Sequence, residues 1–302
     1  MGFHDLEMRG NDKNSGGFFL RDFRLDGQSY RLVVQNARLW GIGHSGTISG
    51  KTLTGAQIVI ERDSPQGLKQ YAIRVTAVDE IAIAVPPNDP RQPPTVETYE
   101  LDYGEMFGQQ PPSEWKNVCG NVPFVHPDPE FVFNETHGLD PKNSILFEGD
   151  KIDLETMTID QTWQPKWFNI GCSGHTLAKL FMTRNTTVSQ GQKNPAQYQA
   201  TLKLLVADYS GLGHPFTVAG QALTWTGGQV QYFRTPTSSE ALWDEHGAIC
   251  LDTPRMTNPS TEAGAKEYPD IEQAIRDSGL ARPPPCATPD PLRSALRFSG
   301  NY

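Results

Sequence analysis

The chain has 302 residues, of which 28 are Gly and 24 Pro, about one in six against roughly one in eight in average usage. Hydrophobic residues make up 37% and aromatics 10%, enough for a packed core, so a disordered chain is excluded. The net charge of -9 argues against binding along a nucleic-acid backbone, and no apolar run approaches the roughly 18 residues of a membrane-spanning helix.

The first 110 residues predict strands and turns. Tyr30, Leu32 and Val34 alternate with polar neighbours, the period of a half-buried strand. Ile48, Leu53 and Ala56 to Ile60 form short runs broken by Gly50 and Gly55. Tyr71, Ile73, Val75 and Ala77 share one face, as do Tyr99, Leu101 and Tyr103. Gly41-Ile42-Gly43-His44-Ser45-Gly46 has the spacing of a dinucleotide loop, but no helix follows, so it reads as a hairpin turn. Short, evenly spaced strands with glycine punctuation predict a sandwich-like or barrel-like β domain over residues 1–110. Proline-rich segments at 86–94 and 122–141 cannot sit in a sheet, and 109–113 is the expected domain boundary.

Helices are expected only after residue 170. One runs over 173–184, with Leu177, Ala178, Leu180 and Phe181 on one side. A second opens at Asn194-Pro195, a cap followed by a first-turn proline. It places Tyr198, Leu202, Leu205, Val206 and Tyr209 on one stripe and stops at Gly211 and Gly213. A third is expected over 270–278, before Gly279, and short strands are expected near 216–218, 222–225, 229–233, 240–243 and 248–251. Residues 115–302 therefore predict an α+β domain, and the whole chain an α+β, β-rich fold.

Four cysteines, Cys119, Cys172, Cys250 and Cys286, show no C-x-x-C and no zinc-finger spacing. They read either as two disulfides in an oxidising compartment or as four cytosolic thiols, and three pairings are open. The opening Met1-Gly2-Phe3-His4-Asp5 has no basic or apolar leader pattern, so either the chain is cytosolic or a signal segment is absent from it.

Cys172 precedes an expected helix, where backbone N–H groups would lower a thiol pKa. With His214 or His246 as base and Asp208 or Asp244 as orienting acid, it could serve a cysteine peptidase or amidase. The other reading makes Cys172 half of a disulfide. Asp208 reads either as a functional acid or as a hydrogen-bonded structural residue beside a core Tyr209; it lies where a helix C-terminus disfavours an acid, so it calls for a partner, which Arg184 or Lys203 could supply. Glu148, Asp150, Asp153 and Glu155 form an acidic stretch without a calcium-loop pattern and read as a solvated turn. Trp163, Trp167 and Phe168 could line a ligand groove, for a glycan among others, or pack in the core. No metal-binding motif and no cofactor loop is present.

Four ordered blocks carry a resemblance: Phe147-Glu148-Gly149-Asp150, Trp167-Phe168-Asn169-Ile170-Gly171-Cys172, Leu205-Val206-Ala207-Asp208-Tyr209-Ser210-Gly211, and Trp243-Asp244-Glu245-His246-Gly247-Ala248-Ile249-Cys250-Leu251. They are similar to the bacterial ADYC domain, named for the tetrapeptide that here reads Ala207-Asp208-Tyr209-Ser210. The resemblance implies an exported chain, often a lipoprotein or other cell-surface protein, with cysteines in disulfides and no known catalytic activity. Ser210 stands where the signature has cysteine; if that cysteine pairs in relatives, the even count here fits loss of a whole bridge. The expected function is an extracytoplasmic surface or binding protein, without a cofactor, whose partner is a protein or glycan at the cell surface.

Overall fold

The computed structural model describes residues 3–82, 95–108, 110–120, 140–160, 166–182, 186, 194–217, 224–226, 238–254, 275, 279, 281–286 and 297–301. The proline-rich segment 86–94, nearly all of 122–141, the strand expected at 229–233 and most of the helix expected at 270–278 lie outside them.

The chain divides into two compact units, residues 1–152 with 160–182, and residues 153–159 with 183–302. In the first, the strands are β1 (Asp5–Glu7), β2 (Phe18–Leu25), β3 (Gln28–Ser29), β4 (Arg31–Gln35), β5 (Arg38–Gly43), β6 (Gly46–Ser49), β7 (Gln57–Ser64), β8 (Gly67–Ala82), β9 (Thr95–Met106), β10 (Lys116–Asn117) and β11 (Asn143–Gly149), with burial alternating most plainly along β4. Strands β12 (Lys151–Asp153) and β13 (Thr158–Asp160) fall where the chain crosses between units, and β14 (Trp167–Cys172) and α1 (Thr176–Met182) return to the first.

A nine-stranded sheet has the order β1-β14-β11-β9-β8-β7-β2-β3, with β10 also on β9, and β4-β5-β6 form a separate three-stranded sheet. Among the described residues the large sheet keeps two ends, β1 and β3, and no barrel closes. Strands β11 and β14 join the sheet of β7–β9, so the compact units differ from the expected division at 110–115.

Both sheets contribute to one core. Leu32, Val34 and Leu39 of the small sheet pack with Phe23, Ile73 and Phe168 of the large one. Each such side chain, once fully buried, contributes roughly 1.5–3 kcal/mol. A bulge at Thr76 shifts the register between Val75 and Ala77, so Val78 joins the core where strict alternation placed Ala77. Tyr99 is fully buried; its hydroxyl donates to Glu97 Oε2 at 2.6 Å and accepts from Leu39 N at 2.8 Å. Burial, then the Glu97 carboxylate, hold its phenol above the ordinary range.

The second unit pairs α2 (Pro195–Val206) with a four-stranded sheet of order β15-β18-β16-β17, from β15 (Thr224–Thr226), β16 (Ser238–Asp244), β17 (Gly247–Leu251) and β18 (Arg297–Asn301). Asn194 Oδ1 caps α2 by accepting Gln197 N at 3.1 Å, as the Asn-Pro pair predicts. The helix stops earlier than the glycines suggested, at Ala207, whose left-handed backbone (φ 54°) is the C-cap. It is also less amphipathic than its stripe implied: Ala200, Thr201, Lys203 and Leu204 are buried beside Tyr198, Leu202, Leu205 and Val206. Packing against β16, β17 and β18 accounts for part of that burial.

Candidate binding groove and signature turn

A groove of about 540 Å³ opens in the first unit between residues 7–12 and β4, with Glu148 and Lys166 completing its wall. Its size falls within the roughly 300–1,000 Å³ of ligand sites. One wall forms because the chain turns sharply after β1. Gly10 has φ +71°, and a Cβ there would lie 2.0 Å from the Leu20 carbonyl oxygen, so only glycine fits. The Glu7 carboxylate holds the turn, accepting Arg9 N at 3.0 Å and Asn11 N at 2.8 Å through Oε2.

The other wall is the β4–β5 hairpin. Asn36 and Ala37 both have φ near +53°, the backbone of a two-residue turn that usually takes glycine second. Glu148 Oε1 accepts Asn36 N at 2.6 Å and Oε2 accepts Ala37 N at 3.2 Å, which secures the turn. Glu148 is thus a buried turn-holding acid and Asp150 is 2% exposed, so the solvated turn the sequence suggested is confined to the 153–155 end, where Asp153 Oδ1 accepts Glu155 N at 2.8 Å.

Along β4 the outward N–H groups alternate. Tyr30 N donates to Phe23 O at 2.7 Å, and Asn36 N to Glu148. Between them, Val34 N reaches, among the described residues, only the Met8 thioether at 3.5 Å, a weak acceptor. By the same parity Leu32 N–H faces the groove, where it meets no acceptor among the described residues. Arg9, Arg31 and Lys166 are exposed around the groove and have no ion pair among the described residues.

The signature turn lies in the second unit, with Ala207, Asp208 and Tyr209 buried and Ser210 half-buried. Lys203 and Asp208 have side chains 1% and 0% exposed, with Nζ donating to Oδ2 at 2.7 Å. The same ammonium donates to Thr156 O at 2.6 Å and Gly211 O at 2.9 Å, which uses its three donors. Asp208 also accepts Gly213 N at 2.8 Å and the Ser210 hydroxyl at 3.1 Å. Tyr209 stacks on Trp243 at 5.4 Å and on Phe216 at 5.9 Å, and its hydroxyl donates to Glu240 at 2.9 Å. Each signature residue therefore supports the fold. Ala207 caps the helix, Asp208 neutralises a buried lysine, Tyr209 fills the core, and Ser210 closes the turn.

A family model described as the ADYC domain matches residues 50–257, more than half of the chain. The chain belongs to the ADYC family. The match begins well before the first block that carried the resemblance, so the ADYC region includes β7 to β9 of the large sheet as well as the signature turn. No curated protein and no solved structure matches the chain. In this ADYC chain all four cysteines are bridged, Cys119 to Cys172 and Cys250 to Cys286, so Ser210 leaves no orphan thiol.

Cys172 ends β14 and lies before the turn to α1, not at a helix N-terminus; it is 1% exposed and disulfide-bonded. A thiolate nucleophile is not present in this state. Burial, followed by the charge of Lys179, pushes nearby His175 below the ordinary histidine range. His214 and His246 are exposed and belong to the second unit, as do Asp208 and Asp244, whereas Cys172 belongs to the first. Asp208 is taken by Lys203, one of its two expected partners; Arg184, the other, lies outside the described residues. Asp244 Oδ1 accepts His246 N at 2.8 Å and Gly247 N at 3.2 Å, which makes it a turn residue. Trp167 and Phe168 are 3% and 0% exposed and pack inside, while Trp163 lies outside the described residues. Among the described residues no group of three or more His, Cys, Asp or Glu is placed to hold a metal ion.

Sequence named Glu148 as part of an acidic stretch and Leu32 and Val34 as a strand, but did not place them at a groove, because residues 7–12, 31–35, 148 and 166 meet only through the fold. One local signal existed: Glu148 follows the apolar Ile145-Leu146-Phe147 within a strand, a position where a carboxylate needs buried N–H donors.

Proposed function

We propose that this ADYC chain works outside the cytoplasm as a binding protein, with the groove between residues 7–12 and β4 as its ligand-facing site. The observation that carries this reading is the closure of all four cysteines into two bridges. Such bridges persist in oxidising compartments, and among the described residues no helix is long and apolar enough to cross a membrane. The bridge at Cys172 supports binding over thiol catalysis, because it occupies the sulfur that a cysteine peptidase would use.

Thiol trapping tests it. Intact cells are treated with iodoacetamide before lysis, and the protein is digested without reductant. Linked peptides containing Cys119 with Cys172 and Cys250 with Cys286 are expected, with the chain in the extracytoplasmic fraction. Rapid alkylation of Cys172 without reduction overturns the reading in favour of the peptidase.

A further inference from the structure

The groove is built like a sheet edge awaiting a strand. Among the described residues strand β4 has one neighbour, β5, and its other edge faces the groove. At the two ends of that edge the outward N–H groups are well used, Tyr30 by Phe23 O and Asn36 by Glu148. In the middle, Leu32 N–H and Val34 N–H have respectively no acceptor among the described residues and a thioether at 3.5 Å. Backbone donors in this position are costly unless a partner or water satisfies them. From the opposite wall only the Met8 thioether reaches these donors among the described residues, at Val34 N–H, and an added strand would displace it. The outer edge of β1 is filled by its own turn, with Glu7 O accepting Gly10 N at 3.1 Å and Asp5 O accepting Asn14 Nδ2 at 2.9 Å.

Charge selects what the edge would take. Arg9, Arg31 and Lys166 ring the groove unpaired among the described residues, in a chain of net charge -9. Of the acids in the wall, Glu148 spends both oxygens on Asn36 and Ala37 N–H, and Glu7 turns Oε2 to Arg9 and Asn11 N–H. Asp12 remains as an exposed acid at the rim.

We infer that the groove takes an extended, acidic peptide segment of a partner protein, which adds as a strand to the open edge of β4. The inference rests on the binding-protein reading and names the partner's chemistry. Main-chain bonds to Leu32 and Val34 would supply register-tolerant affinity, and the three cations would select carboxylate side chains. The volume of about 540 Å³ suits a short segment and not a folded domain.

The test uses the full chain with its bridges intact and a fluorescein-labelled octapeptide of alternating Glu and Thr. Two comparators have the same length: alternating Lys and Thr, and the Glu-Thr peptide N-methylated at every residue. The Glu-Thr peptide is expected to bind at least tenfold tighter than either, and Arg31→Glu to weaken it at least tenfold. Arg31 is exposed and its substitution leaves the core intact, with Lys166→Glu as a second variant of the same kind. Hydrogen exchange at Leu32 and Val34 should slow on saturation. Equal binding of the Lys-Thr or N-methylated peptide overturns strand addition. So does displacement by inorganic phosphate without protection of Leu32 and Val34, which would mark a simple anion site. Failure of every peptide overturns this inference alone, since the thiol-trapping result reports independently on the binding-protein reading.

Discussion

Lys203 and Asp208, five residues apart, form an ion pair of 2.7 Å at the end of α2 with both side chains shut off from solvent. The pair ties three stretches together, because Lys203 also binds the carbonyl of Thr156 and that of Gly211. The aspartate of the family signature therefore acts on the fold, and its effect on function passes through the stability of the second unit.

Lys203→Met should destabilise the chain by about 3–5 kcal/mol, because it leaves the Asp208 carboxylate buried without its cation. Asp208→Asn should cost a similar amount. The double variant should cost clearly less than the sum of the two, since it removes both charges together. Denaturant unfolding of the three variants measures this, and strictly additive losses would contradict the pairing.

Gly213 and Gly27 give a matched comparison. Both have left-handed backbones, at φ +86° and +78°. A Cβ at Gly213 would lie 1.7 Å from Glu155 O, whereas at Gly27 nothing lies within 4 Å. Gly27→Ala should cost only the backbone strain, about 1–2 kcal/mol. Gly213→Ala should cost visibly more and should weaken the Asp208 contact to Gly213 N–H. Equal melting temperatures for the two variants would contradict it.

Asp5 is buried, and burial pushes its carboxyl up to about 6 despite the N–H donors of Ile152 and Asn14. Folding thus favours the protonated form. The contribution is fully present below about pH 4 and is lost as pH rises through 6, a change of about 3 kcal/mol. Asp5→Asn does not titrate, so its stability curve should lack this fall between pH 4 and 7. Parallel curves for the two proteins would count against the assignment.

Ser210→Cys restores the signature cysteine to a chain whose other cysteines are all bridged. The variant should fold, lose a fraction of the Ser210–Asp208 hydrogen bond, and show one alkylatable thiol per chain without reduction. No free thiol, or a new linked peptide, would show that Cys119, Cys172, Cys250 and Cys286 re-pair around it.

The local elements were the more legible part of the sequence. The Asn194-Pro195 start of α2, the hairpin at Gly43 and Gly46, and the strands over Tyr71 and Tyr99 follow from caps, glycine and period. The Thr76 bulge was not legible, because one extra residue changes which side chain faces inward without changing the composition of the run. The reading of Asp208 succeeded in part for a physical reason: a helix C-terminus repels an acid, so a nearby cation could be expected, and Lys203 was one of two within reach. The helical placement of Cys172 failed because β14 extends to it and α1 starts only at Thr176.

Residue order alone established a β-rich α+β chain of the ADYC family, two helices whose observed ends differ from the expected ones by a few residues, and a paired set of four cysteines as one of two readings. Which cysteines join was settled by the folded chain, since three pairings share the same spacing and the choice depends on β14 ending beside Cys119. The fold also made the groove. Arg9, Arg31, Glu148 and Lys166 are remote in the chain, and sheet pairing, which acts across any sequence distance, is what brings them around one open strand edge.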